Sequence, residues 1–172
     1  YPGGRIRRSY TLENGQREGR YLEYSANGGL FLEREYRRGV DMVEKFYYPD
    51  GKLQEYSVRK PDGKFFTTKN YWPNGKLQSE TSFEIKTKLS CTVNEAVRVG
   101  KAYRYASDGS LLEEAHYDDI GRYDGAQVLI DEKVHRTESV YFRGRLTAKK
   151  VFDARGRLVL AESYGDDGPM KR

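Results

Sequence analysis

Tyr48-Pro49-Asp50-Gly51-Lys52-Leu53-Gln54 and Trp72-Pro73-Asn74-Gly75-Lys76-Leu77-Gln78 are two copies of one phrase, 24 residues apart. Looser copies stand at Tyr24-Ser25-Ala26-Asn27-Gly28-Gly29-Leu30 and Tyr105-Ala106-Ser107-Asp108-Gly109-Ser110-Leu111. The glycines Gly4, Gly28, Gly51 and Gly75 are 24, 23 and 24 residues apart, and Gly109 and Gly156 are separated by 47, two such periods. A second set of turn signals lies between them at Asn14-Gly15, Arg38-Gly39, Asp62-Gly63, Ile120-Gly121, Arg143-Gly144 and Asp167-Gly168, and halves the spacing. About a dozen residues hold one strand and one turn but no useful helix. Pro-Asp-Gly and Pro-Asn-Gly supply the turn: proline fixes φ, Asp or Asn bonds back to local backbone, and glycine accepts a positive φ.

The expected fold is therefore all-β: an elongated, twisted antiparallel β-meander of about a dozen strands, built from hairpin repeats of 23–24 residues and filling 1–172 as a single array. Two residues after a turn glycine lies Ile6, Leu30, Leu53, Leu77, Leu111, Leu146 or Leu158; eight after it lies Tyr36, Phe83, Tyr117, Phe152 or Tyr164. Both offsets are even, so a period-2 strand predicts that they share one buried face, with Lys, Arg, Glu, Gln, Ser and Thr on a solvated opposite face. Another aromatic precedes nearly every turn, as at Tyr24, Tyr48, Trp72, Tyr105 and Tyr141.

An apolar fraction of 37% is thin for a compact globule of 172 residues, and 15 tyrosines carry much of the burial. A phenol can cover apolar neighbours while its hydroxyl reaches water, and half-exposed tyrosine is also favoured at protein interfaces. The net charge of +5 is spread among both signs. Arg5, Arg7, Arg8, Arg17 and Arg20 make one locally basic stretch, and Glu113, Glu114, Asp118, Asp119 and Asp124 an acidic one. One cysteine, Cys91, excludes an internal disulfide. No run approaches the ~18 apolar residues of a membrane-spanning helix. The chain starts at Tyr1, within a repeat phrase and without Met, which favours a periplasmic or envelope location over the cytoplasm, with a leader or further repeats upstream.

From Gly75 to Gly109 is 34 residues, about ten more than the period, and the excess falls at 84–98. Such an insertion is free of the packing that fixes the repeat, so it can carry specificity or be a tolerated surface loop. Thr92 to Arg98 suits either a short helix capped by Thr92 or Asn94, or an extra pair of short strands. Ile130-Asp131-Glu132-Lys133-Val134 replaces a glycine turn by a charged one.

No residue set suggests catalysis, a metal or a cofactor. His116 and His135 are 19 residues apart with no second ligand at metal spacing, and nothing pairs either with Cys91 as a base with its nucleophile. Glu113 and Glu114 are adjacent on a strand and face opposite ways, so they cannot flank one bond. Lys64-Phe65-Phe66-Thr67-Thr68-Lys69-Asn70-Tyr71-Trp72 interleaves bases and aromatics, but a half-buried strand of this repeat does the same, so nucleic acid is disfavoured as a partner.

The phrase Tyr48-Pro49-Asp50-Gly51-Lys52-Leu53, its copy at Trp72, and Gly19-Arg20-Tyr21, Gly39 and Gly63 resemble the variant MORN repeat of bacterial YwqK-like antitoxin proteins. The resemblance is strong over 20–80 and fainter beyond, where Ala154-Arg155-Gly156-Arg157-Leu158 is the clearest copy. It implies a twisted antiparallel meander and a non-catalytic antitoxin or immunity protein whose partner is a cognate toxin or effector, such as one delivered by a contact-dependent or type VI system. Other MORN proteins are scaffolds or membrane-associated modules, so peripheral contact with acidic phospholipid headgroups through Arg5, Arg7 and Arg8 is the alternative. For a protein partner, the expected binding residues are Lys86, Lys88, Asn94, Glu95 and Arg98 in the insertion, with Tyr71 and Trp72 as nearby aromatics.

Overall fold

The computed structural model describes residues 4, 6–87, 94–131, 133–165 and 168–170, in two compact units, Tyr1–Glu80 and Thr81–Arg172. Every regular element among the described residues is a strand. The first unit holds β1 (Arg8–Glu13), β2 (Gln16–Tyr24), β3 (Leu30–Arg37), β4 (Val40–Tyr47), β5 (Leu53–Arg59) and β6 (Phe65–Tyr71). Strand β7 (Leu77–Thr87) begins in the first unit and ends in the second. The second unit continues with β8 (Asn94–Tyr105), β9 (Leu111–Tyr117), β10 (Gly125–Ile130), β11 (Arg136–Phe142), β12 (Arg145–Phe152), β13 (Leu158–Gly165) and β14 (Gly168–Met170). Within each unit, every strand is antiparallel to the next in sequence, as hairpin repeats require.

The repeated phrase is a turn closed by its own backbone. Gly51 N donates to Tyr48 O at 2.8 Å, Tyr48 N to Lys52 O at 2.8 Å, and Lys52 N to Asp50 Oδ1 at 3.1 Å. The copy repeats this with Gly75 N to Trp72 O at 2.8 Å and Lys76 N to Asn74 Oδ1 at 3.0 Å. The intervening hairpins are tighter: Arg38 and Gly39 have φ of 50° and 78°, and Arg143 and Gly144 of 50° and 85°. Two successive positive φ values match the twist of the flanking strands. The charged turn at 131 closes through Val134, at φ 63°, in place of a glycine.

The single-face expectation for leucine and aromatic is overturned by β-bulges. Tyr24 pairs with Leu30 but Glu23 with Leu32, leaving Phe31 as an extra residue. Likewise Gln54, Leu112 and Val159 are extra where Tyr47 pairs with Leu53, Tyr105 with Leu111, and Phe152 with Leu158. One extra residue reverses the alternation. The register therefore turns Leu30 away from Tyr36, and Leu111 away from Tyr117. Leu30, Leu53, Leu77, Leu111 and Leu146 are only half-buried, and Ile6 and Leu158 are exposed.

Polar and apolar residues are also not segregated by face. In the first unit one row across the strands runs Tyr21, Arg34, Glu44, Ser57, Thr68, and the next on that face runs Glu23, Leu32, Phe46, Glu55, Asn70. The core cluster Tyr21, Leu32 and Tyr36, with Phe31 and Phe46 against it, is thus continuous with ion pairs and hydroxyls. Arg34 pairs with Glu44, and the Ser57 and Thr68 hydroxyls lie 2.8 Å apart. The opposite face carries the row Leu22, Glu33, Lys45, Tyr56, Lys69. There burial pushes the Glu33 carboxyl up, but hydrogen bonds from Tyr47 and Arg20 outweigh it and hold it below the usual range. In the second unit the buried apolar residues are Ala115 and Tyr117.

The described parts of the insertion, 84–87 and 94–98, belong to two long strands. Strands β7 and β8 are 11 and 12 residues, the longest of the fourteen described, and Thr87 Oγ1 donates to Asn94 Oδ1 at 3.1 Å. Residues 94–98 are extended, which removes the helical alternative for them; Lys88, Cys91 and Thr92 lie outside the described residues.

Candidate functional site

Tyrosines in both units lie opposite a glycine on the neighbouring strand: the buried Tyr36 opposite Gly19 and Tyr117 opposite Gly100, and the half-buried Tyr141 opposite Gly125. Each of these glycines has a positive φ, of 68°, 68° and 85°, a conformation that glycine takes without a Cβ clash. The residue two before each glycine then covers the ring. The Arg17 guanidinium is 5.3 Å from the Tyr36 ring centre and donates to its hydroxyl at 3.0 Å. Arg98 lies 5.9 Å from the ring of Tyr117, and Tyr123 lies 5.0 Å from that of Tyr141.

In the second unit two of these arrangements adjoin, because Tyr123 also stacks on Tyr117 at 4.9 Å and 27°. The result is a continuous series Arg98, Tyr117, Tyr123, Tyr141. Around it opens a groove of about 690 Å³ whose rim carries four exposed arginines, Arg98, Arg122, Arg143 and Arg145, and whose lining has no carboxylate. The Tyr123 hydroxyl is pushed up to about 12, first by its hydrogen bond with Tyr117 and then by burial, so it stays protonated as a donor at neutral pH.

Backbone contacts fix the walls. Gly144 N donates to Tyr123 O at 2.7 Å and Arg143 N to Asp124 Oδ1 at 3.0 Å, docking the β11–β12 turn on the segment before β10. Arg122 packs over Gly144, where an added Cβ would be 3.2 Å from its Cβ and Cδ. Gly121 approaches Val97 so closely that an added Cβ would be 2.8 Å from Val97 Cγ1. Asp118 holds Arg122 through its Nε at 2.8 Å; burial pushes this carboxyl up, but hydrogen bonds from the Arg122 backbone and side chain outweigh it, so it stays ionised. Fixed guanidinium groups around a recess can bind anions, and carboxylates or phosphates match their planar forks.

Of the residues expected from sequence, only Arg98 lines this groove. Lys86 pairs with Glu84 at 3.3 Å, Asn94 closes the strand ends with Thr87, and Glu95 is exposed. Tyr71, at the end of β6, and Trp72, at the start of the following turn, belong to the first unit and are half-buried: the Tyr71 carbonyl accepts from the Tyr48 hydroxyl at 2.8 Å, and Trp72 N donates to Lys76 O. Lys88 lies outside the described residues. Of the arginines named for lipid contact, Arg8 pairs with Glu23 at 3.0 Å and Arg7 lies 4.0 Å from it, while Arg5 is outside the described residues. His116 Nδ1 is 2.8 Å from Asp124 O, and His135 Nδ1 is 3.1 Å from Asp131 Oδ2. Among the described residues no group of three or more His, Cys, Asp or Glu is placed to hold a metal ion.

Tyr117, Tyr123, Tyr141, Arg122, Arg143 and Arg145 were not singled out from the sequence as a site. A usable signal was present: a glycine with an arginine two before it and a tyrosine 17 after, at Arg17, Gly19, Tyr36 and again at Arg98, Gly100, Tyr117. A smaller recess of about 250 Å³ in the first unit is lined by Glu44, Glu55, Ser57, Arg59 and Thr68. Its Glu55 carboxyl is pushed up by burial and by the Glu44 charge.

The all-β hairpin fold agrees with the comparison to known families: the MORN repeat variant matches three segments, residues 40–59, 67–84 and 98–119. Three segments of the chain are thus similar to MORN-type repeats, which points to a repeat-based binding or scaffold module. The match includes Arg98 and Tyr117 but ends before Gly121, so most of the groove lies beyond the matched repeats. A search of curated proteins found no match to this chain.

Proposed function

We propose that this chain is a non-catalytic protein-binding module, a bacterial antitoxin or immunity protein that neutralises a cognate toxin or secreted effector by direct binding and occlusion. The observation that carries this reading is the groove of stacked Tyr117, Tyr123 and Tyr141 rimmed by four arginines. Tyr and Arg are the residues that dominate binding energy at protein interfaces, and here their side chains are held before a partner arrives, which lowers the entropy lost on association. The MORN-type repeats supply a scaffold for such a surface, and the resemblance to YwqK-like antitoxins supplies the class of partner. A periplasmic or envelope meeting place belongs to the same proposal.

The test is co-expression with the product of the neighbouring reading frame. Stoichiometric co-purification, together with restored growth of cells expressing that product, supports the reading. A neighbour that is harmless when expressed alone and passes through the immobilised protein without retention overturns it.

A further inference from the structure

The groove's chemistry bears on the kind of partner segment it accepts, and this step rests on the protein-binding reading above. Four guanidinium groups converge from separate elements: Arg98 from β8, Arg122 from the turn after β9, Arg143 from the β11–β12 turn, and Arg145 from the start of β12. Each has an exposed side chain. Asp118 engages Arg122 through Nε, while the hydrogen bond to Asp124 uses only the backbone of Arg143 and leaves its side chain to a cation–π contact with Phe142 at 5.3 Å. Four guanidinium groups thus gather around the recess, with Asp118 engaging Arg122 and the Asp124 carboxylate beside the Arg143 backbone.

Three anionic occupants are chemically conceivable, and the geometry separates them. A nucleic acid base needs an open ring on which to stack. Here Tyr117 is 8% exposed, and its ring is engaged by Tyr123 and Arg98. A membrane presents headgroups on a broad surface, whereas these arginines converge from four elements on one open recess of about 690 Å³. A protein segment can insert individual carboxylates between the guanidinium forks, and each planar fork matches a carboxylate bidentately.

We infer that the groove bounded by Arg98, Arg122, Arg143 and Arg145 receives an acidic segment of the partner protein, whose Asp or Glu carboxylates pair with these guanidinium groups over the Tyr117–Tyr123–Tyr141 stack. Complementary charge of this kind accelerates encounter and selects partners, and it weakens as salt screens it.

The probe is a fluorescein-labelled peptide of about ten residues rich in Glu, read by fluorescence anisotropy at low ionic strength. The expected result is saturable binding that weakens about tenfold or more in Arg98→Ala/Arg143→Ala. A control pair, Arg155→Ala/Arg157→Ala, removes equal charge from the turn at the other end of β12 and should change affinity less than about twofold. Arg98→Lys/Arg143→Lys keeps the charge but loses the fork, and should recover only part of the affinity. Unchanged circular dichroism and melting in each variant separates lost binding from lost fold. Equal losses in the two alanine pairs, or no binding by the unmodified protein, overturn the inference. So does binding to phosphatidylglycerol vesicles, but not to the peptide, that the Arg98→Ala/Arg143→Ala pair abolishes. If the neighbouring gene product binds the groove variants as tightly as the unmodified protein, this inference fails while the protein-binding reading stands. If no protein partner is retained but the peptide behaves as expected, the reading fails and the groove's chemistry stands.

Discussion

Two turns in the second unit have the same construction but different surroundings, and replacing the glycine in each by alanine weighs one contact directly. In Asp118-Asp119-Ile120-Gly121-Arg122, Asp118 Oδ1 accepts from Arg122 N at 2.8 Å and Arg122 Nε donates to Asp118 Oδ2 at 2.8 Å. In Asp153-Ala154-Arg155-Gly156-Arg157 the corresponding distances are 2.9 and 2.8 Å. The glycines have φ of 84° and 75°. Left-handed backbone costs an alanine about 1–2 kcal/mol, and the stiffer unfolded chain returns about 0.4–1 kcal/mol, so Gly156→Ala, with open space around its new methyl, should cost about 1 kcal/mol. Gly121→Ala carries the same backbone term and drives its Cβ to 2.8 Å from Val97 Cγ1, adding about 1–3 kcal/mol of overpacking. At a urea slope of about 2 kcal/mol per M, the two variants should differ in midpoint by roughly 0.5–1.5 M. Urea unfolding followed by circular dichroism measures both variants in the same unit, so the same transition is compared. Adding Val97→Ala should relieve Gly121→Ala but not Gly156→Ala, giving a double-mutant coupling of about 1 kcal/mol. Equal midpoints for the two glycine variants, or a coupling near zero, would refute the close approach of β8 to this turn and with it the wall of the groove.

Leu32→Ala, at 4% exposure within the Tyr21 and Tyr36 cluster, should cost about 2–4 kcal/mol in urea unfolding, whereas Leu158→Ala, 54% exposed at the repeat's leucine position, should cost under about 0.5 kcal/mol. A reversed order would contradict the burial that the bulges impose. Glu55 has its folded carboxyl raised by burial and by Glu44, so the stability it contributes is full below its unfolded pKa and is lost as pH rises through the folded one. Glu55→Gln should therefore raise the urea midpoint at pH 7 and leave it unchanged near about pH 3, below the ~4.3 of a free Glu; a lower midpoint at pH 7 would count against this. Tyr117→Phe should bring the Tyr123 hydroxyl down from about 12 while burial keeps it above its ordinary value, read by NMR titration of ¹³C-labelled tyrosine. A Tyr123 that stays near 12 would reject the hydrogen bond as the leading cause.

The strands and their turns were legible because turn chemistry is local. Asp50 and Asn74 each accept from the residue two later, and Gly51 and Gly75 take φ of 84° and 83°, as the Pro-Asp-Gly and Pro-Asn-Gly phrases demand. The length of the insertion marks it in the sequence, yet 94–98 suits helix or strand there, since that choice depends on pairing with neighbouring strands. Burial was legible for Tyr36 and Tyr117 but not for the leucines. The extra residues Phe31, Gln54, Leu112 and Val159 break the alternation on which the one-face expectation relied, and nothing in their chemistry announces a bulge.

The candidate site shows the same division. The sequence points to Arg98 because it lies in the irregular stretch, whereas the structure gives it another basis: it lies over the ring of Tyr117, which pairs with Gly100 two residues on. Arg122, Arg143 and Arg145 each lie beside a turn glycine and look there like ordinary solvated charges.

By itself, the sequence determined a meander of antiparallel strands with turns at half-period intervals, because each hairpin is specified by contacts within a few residues. Tertiary structure alone decided which residues share a face and which converge on the groove. Those outcomes depend on register, where one bulge reverses a strand's faces, and on the docking of Arg143 and Gly144 onto Tyr123 and Asp124, about twenty residues away in sequence.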